Sequence, residues 1–228
     1  MEKIQEIEEL FPSILNYSYA AVSLSYFFSS RKRFAIPILL ALYGLIFFIL
    51  LDNFEFFNTH IRKEYQTIYT FLEYTFFSYL IWIQVSTLLR RVISVLSIAF
   101  WCVQLTYLIF ATTQKLDSVP VGIETILIFL YAFIYFYHHF KNNLDYPIYD
   151  HYSFWLVIGM ILYLGGAFFF NILVNHVPKD QTNKIQNLTI VPEVVKNLLF
   201  VFALFSYKPI GDTKSNKKQS QVPNLDMI

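Results

Sequence analysis

One cysteine, six glycines and 14% charged residues in a chain of 228 exclude several protein classes at once. Cys102 alone can close no internal disulfide and cannot begin a multi-thiolate metal site, so it reads as a small buried hydrophobe inside an apolar run. The chain has no Gly-rich phosphate loop, no His-Glu-x-x-His, no Gly-x-Ser-x-Gly and no Cys or His pair at metal-binding spacing. With no catalytic constellation, it reads as a non-enzyme that calls for no cofactor and no metal. A net charge of +1 leaves out a nucleic-acid footprint, which needs clustered Lys and Arg on an exposed face. The opening MEKIQEIEEL is acidic where a cleavable signal peptide is basic, so the first hydrophobic stretch is expected to remain as an anchor.

Scarcity of charge also argues against a water-facing domain. The chain is 56% hydrophobic and 20% aromatic, with 25 Phe, 17 Tyr and a mean hydropathy of +0.48. Too little polar material is left to cover a soluble exterior. The lipid bilayer is the solvent this composition fits.

A helix needs about 17 to 25 apolar residues to cross a bilayer, and seven stretches qualify: 10–29, 34–51, 68–89, 92–112, 119–137, 154–174 and 190–207. The first is interrupted by Pro12 and Asn16, and the last opens with Pro192, Glu193 and Lys196. The runs are continuous, without the ten-residue alternation of a spanning β-barrel. In hydrocarbon such runs must satisfy their own N–H and C=O groups, which means helices. The expected fold is an all-α polytopic transmembrane bundle of seven helices over 10–207. A short outer tail, 1–9, precedes it, and a polar, disordered cytoplasmic tail, 208–228, follows.

Positive charge sets the orientation. Loops one, three and five with the C-terminal tail hold ten basic residues: Arg31, Lys32, Arg33, Arg90, Arg91, Lys141, Lys208, Lys214, Lys217 and Lys218. The N-terminal tail and the other loops hold six: Lys3, Arg62, Lys63, Lys115, Lys179 and Lys184. The expectation is N-terminus out and C-terminus in, in a bacterial inner membrane. Arg31, Lys32, Arg33, Arg90 and Arg91 then face the cytoplasm, as ordinary flanks or as contacts for a partner or anionic lipid.

Charge inside a span is expensive and therefore points to function. Glu73, Glu124, Glu193 and Lys196 interrupt the third, fifth and seventh segments, and Gln104, Asn171 and Asn197 add polar groups. In the expected orientation all fall in the outer half. Glu73 and Lys196, each roughly 8 to 9 Å along its segment at 1.5 Å per residue, are placed to pair, as a structural clasp or as part of a ligand pocket with Glu124, Asn197, Asn171 and Gln104. Glu193 reads as interfacial. Gly159 and Gly166, seven apart, share a helix face and read as a close-packing seam. His138, His139, Asp145, Asp150 and His151 share the fifth loop and read as solvated.

Three stretches carry a family resemblance: YQTIYTFLEYTFF around Glu73, SFWLVIGMILYLGGAFFFNIL in the sixth segment and VVKNLLFVFALF in the seventh. From the third segment onward the chain resembles a family of uncharacterised small seven-helix integral membrane proteins of Bacteroidota-type bacteria, some associated with histidine kinases. The resemblance implies a sensing or partner role, with a cytoplasmic histidine kinase or other regulator as output, since only 21 residues follow the last segment. It carries over no ligand or catalytic residue. Three functional readings stand at this point: a sensor or signalling-accessory module with an outward-facing polar pocket, a small-solute or ion transporter or channel, and a retinal-binding protein. The retinal reading uses Lys196 in the last segment and a carboxylate in the third. Against it stands the apparent position of Lys196 near the outer end of its segment.

Overall fold

Each long apolar run becomes a helix, because only i to i+4 bonding closes its backbone without water. A computed structural model describes residues 2–28, 35–53, 62–110, 118–141, 148–173 and 179–206. Among the described residues lie seven α-helices and no strand. They are α1 Glu2–Phe28, α2 Ala35–Asp52, α3 Arg62–Trp82, α4 Thr87–Phe110, α5 Ser118–Lys141, α6 Tyr152–Leu173 and α7 Lys179–Ser206. A 3-10 turn, Ile148–Asp150, precedes α6. Four of the seven (α2, α4, α5 and α6) are long and apolar enough to cross a membrane.

The helices follow one another around the bundle, each on the next, and α7 closes the ring by packing on α1. α3 also reaches across to α5. Large apolar side chains face outward at helical spacing: Val95, Ile98, Leu105 and Ile109 on α4, and Val191, Val195, Leu198, Phe202 and Phe205 on α7. The interior is richer in polar chemistry than this surface, since Tyr19, Tyr43, Tyr74, Tyr131, Glu73, Glu124, Lys196 and Asn197 are all buried. That inversion suits a lipid surround and not water. α1, α3 and α7 contribute most of the inward charge and hydroxyl groups, which lowers their own apolarity.

Small residues set the closest approaches. A Cβ on Gly166 would lie 2.5 Å from the Pro192 ring, and one on Gly159 would lie 3.4 Å from Leu199 and Phe200, so both glycines of the expected seam face α7. α1 and α2 meet at Gly44, where an added Cβ would come within 2.7 Å of the backbone of Tyr19 and Ser23.

Several boundaries differ from those read in the sequence. α1 begins at Glu2, so most of the expected outer tail is helix, and α7 begins at Lys179, eleven residues ahead of the apolar run. Backbone hydrogen bonding carries a helix past the point where its side chains turn polar. α3 ends at Trp82, ahead of the expected 89, and the chain turns over Ile83–Ser86. Arg90 explains that stop. Its guanidinium donates to the carbonyls of Trp82 and Ile83, both at 3.0 Å, and lies 4.9 Å from the Trp82 ring centre. The last carbonyls of a helix lack intrahelical partners, and this cation supplies them. Arg90 and Arg91 therefore belong to α4, not to a loop. Cys102, expected to be buried, is exposed on the outer face of α4. Arg31, Lys32, Arg33 and the 208–228 tail lie outside the described residues.

Candidate functional site

Helical spacing turns one face of α7 inward: Glu193, Lys196, Asn197, Phe200 and Leu204 are buried at i, i+3, i+4, i+7 and i+11. α1 answers with Leu15, Ser18, Tyr19, Val22 and Ser25. α3 adds Tyr69, Glu73 and Phe77, successive turns of one face, and α6 adds Tyr163.

Lys196 is the centre of the arrangement and is fully buried, with 0% exposure. Its Nζ donates to Tyr19 Oη at 3.1 Å and to Glu73 Oε1 at 3.5 Å, and lies 3.9 Å from Glu193 Oε1. The Tyr163 ring centre is 3.8 Å away, and the rings of Tyr19, Tyr43 and Phe77 stand at 5.2, 5.5 and 5.5 Å. A desolvated ammonium gains from such faces as well as from the carboxylates.

The carboxylates are themselves held. Tyr163 donates to Glu73 Oε2 at 3.0 Å, and Glu193 Oε1 accepts from Tyr69 at 2.9 Å and also from Tyr19. Asn197 donates to Ser18 Oγ at 2.7 Å, and Ser18 donates on to the Leu15 carbonyl at 2.7 Å. Glu193, expected at the interface, is buried. One charged centre thus ties α1, α3, α6 and α7 together. Breaking a buried pair of this type by removing one partner costs about 3 to 5 kcal/mol.

The helix bounds move the cluster from near the ends of its expected segments toward the middle of the helices. Glu73 lies 11 residues from the start of α3 (73 minus 62) and nine from its end (82 minus 73). Tyr163 sits 11 residues into the 22 of α6, and Tyr43 eight residues into the 18 of α2. The ammonium therefore stands near the middle of the apolar helices around it.

A second polar node joins α3, α4 and α5, where the Tyr74 hydroxyl is 2.8 Å from that of Tyr131 and 3.0 Å from Ser97 Oγ. Glu124 and Gln104 are buried, and no hydrogen bond joins either to the Lys196 cluster. Asn171 is helical, within α6, and its side chain lies outside the described residues. Arg91 is exposed and Arg90 is occupied by the α3 terminus. His138 and His139, expected in the fifth loop, lie in the last turn of α5; the His139 ring is 5.2 Å from that of His151, and among the described residues no group of three His, Cys, Asp or Glu could hold a metal. Asp145 is outside those residues.

Tyr19, Tyr69, Tyr163 and Ser18 are partners that sequence reasoning missed. The available signal was spacing: Tyr69 precedes Glu73 by one turn, and Tyr19 is in the run that Pro12 and Asn16 had marked as polar.

No protein-family model, curated protein or solved structure matches this chain.

Proposed function

We propose that the chain is a membrane-embedded sensor or signalling-accessory module, in which the ionic centre at Lys196 is the switch. The observation that carries this reading is that one ammonium links side chains from α1, α3, α6 and α7. A stimulus that alters one ion pair therefore changes the packing of four helices together. Such a stimulus acts by favouring one of two arrangements of the bundle. The excess of basic residues in alternate loops supports an outward N-terminus and a cytoplasmic C-terminus, in a bacterial inner membrane. Output then goes to a separate cytoplasmic partner, a histidine kinase or other regulator, and the chain carries out no chemistry of its own.

A transporter or channel for a small solute or ion is the second reading. Its support is the pair Glu124 and Gln104, which extends buried polar groups beyond the Lys196 centre.

Mild crosslinking in native membranes, isolation through a C-terminal tag and mass spectrometry test the first reading. A stoichiometric histidine kinase or regulator, lost from a folded Lys196→Met variant, is the expected result. Isolation of the chain alone would sink it and move the question to flux measurements in liposomes.

A further inference from the structure

Among the described residues, five buried side-chain atoms on α4 and α5 have no hydrogen-bond partner: Gln104 Nε2 and Oε1, Glu124 Oε1 and Trp101 Nε1, and His139 Nε2 in the last turn of α5, away from the other four. Leaving such a group unpaired costs about 1 to 3 kcal/mol, and more when it is charged. Native interiors rarely do so without an ion or water at the place. Gln104 is only 2% exposed and Glu124 1%, so bulk water does not supply the missing bonds.

Register puts the two residues at one level of one seam. Ser97 on α4 and Tyr131 on α5 approach across it at 3.5 Å. Gln104 is seven residues after Ser97 and Glu124 seven before Tyr131, two turns along each of two antiparallel helices. The helix ends agree, since Gln104 lies six residues before Phe110 and Glu124 six after Ser118. The two side chains share that level and seam without bonding each other.

Charge decides what belongs there. Glu73, Glu124, Glu193 and Lys196 are the buried charged residues among those described, three acids against one base. Lys196 is already shared by Glu73 and Glu193. Water alone would leave the Glu124 carboxyl neutral, because a low-dielectric interior disfavours an unpaired carboxylate, whereas a monovalent cation can take the place of that proton. A divalent ion generally draws on several carboxylates, and no group of three or more candidate ligands occurs among the described residues.

We infer that Glu124 and Gln104 bind a monovalent inorganic cation in the α4–α5 seam. Glu124 Oε1 and Gln104 Oε1 are its ligands, and water completes the shell and accepts from Gln104 Nε2 and Trp101 Nε1. The site lies beyond the Lys196 centre and depends neither on that centre acting as a switch nor on any output partner.

The test uses the purified full chain in detergent, comparing thermal unfolding in sodium, potassium and choline chloride at equal ionic strength. Sodium or potassium should raise the midpoint by about 2 to 4 °C over choline. Glu124→Gln keeps the shape and should lose the increment, as should Gln104→Met; Arg91→Ala, at an exposed position, should keep it. Equal midpoints in all three salts would overturn the site, and so would a wild-type increment in either seam variant. Because no partner protein is present, a cation increment without a co-isolated regulator would remove the output partner and leave the site standing. The reverse result would remove the site alone.

Discussion

Lys196 Nζ and Glu73 Oε1 stand 3.5 Å apart, an ion pair between helices separated by 123 residues of chain. Neither member has an aqueous alternative, since Lys196 is 0% exposed and Glu73 3%. The pair is asymmetric, because the ammonium also faces Glu193 at 3.9 Å, whereas Glu73 has Lys196 as the cation it bonds.

That asymmetry orders a set of variants. Lys196→Met strands two carboxylates and should cost about 3 to 5 kcal/mol; Glu73→Gln leaves the ammonium beside Glu193 and should cost less. The double variant should be more stable than the sum of the two single losses predicts, with a coupling of about 1 to 3 kcal/mol. Thermal unfolding of the four proteins in one detergent measures it, and additive shifts would mean that the two side chains do not pair.

Part of this site was legible in the sequence and part was not. A charge inside an apolar run has few places to go, so Glu73 and Lys196 could be paired from their positions alone. Their depth could not, because apolarity marks where a helix meets lipid while its hydrogen bonds run on: α7 extends to Lys179 and α3 begins at Arg62. The tyrosines that hold the carboxylates were hidden among 17 of their kind. Arg90 looked like a loop residue because arginine breaks a hydropathy run, yet its fork reaches back to carbonyls seven and eight residues earlier. The Gly159 and Gly166 seam was readable, since seven residues are two turns and small side chains have one obvious use.

Glycine positions give a matched pair of tests. At Gly44 a methyl group would meet the backbone of Tyr19 and Ser23 at 2.7 Å, so Gly44→Ala must push α1 from α2 and displace Tyr19 from the ionic centre. A loss of about 2 kcal/mol or more is expected, in the range of overpacked cores. At Gly122 the added methyl meets nothing within 4 Å. There the change to alanine should be neutral or stabilise by up to about 1 kcal/mol through helix propensity. Similar unfolding midpoints for both variants would contradict the close α1–α2 approach.

Neighbouring arginines should behave differently. Arg90 satisfies two carbonyls at the end of α3, so Arg90→Ala should cost about 1 to 3 kcal/mol and speed amide exchange around Ile83–Ser86. Arg90→Lys should recover only part of it, because an ammonium does not present the planar fork. Arg91 is exposed, and Arg91→Ala should leave both stability and exchange within about 0.5 kcal/mol of wild type. Equal effects at the two positions would refute the capping role.

Retinal binding is the reading that the fold makes most tempting and the packing makes testable. With Lys196 at mid-depth and Glu73 at 3.5 Å, the objection that the lysine sits too near the end of its helix no longer holds. A Schiff base also needs room for a long polyene leaving the nitrogen. Around this nitrogen the rings of Tyr19, Tyr43, Phe77 and Tyr163 stand within 5.5 Å. They are locked to one another and to Phe200, with Tyr43 and Phe77 at 5.6 and 6.2 Å from it. Cores at this density accept extra methylenes only with strain. All-trans retinal added to the purified chain should therefore produce no protein-dependent visible band, in wild type and in Lys196→Ala alike. A band that appears in wild type and vanishes in Lys196→Ala would show that the aromatic enclosure opens, and would put the chromophore reading ahead of the sensor switch.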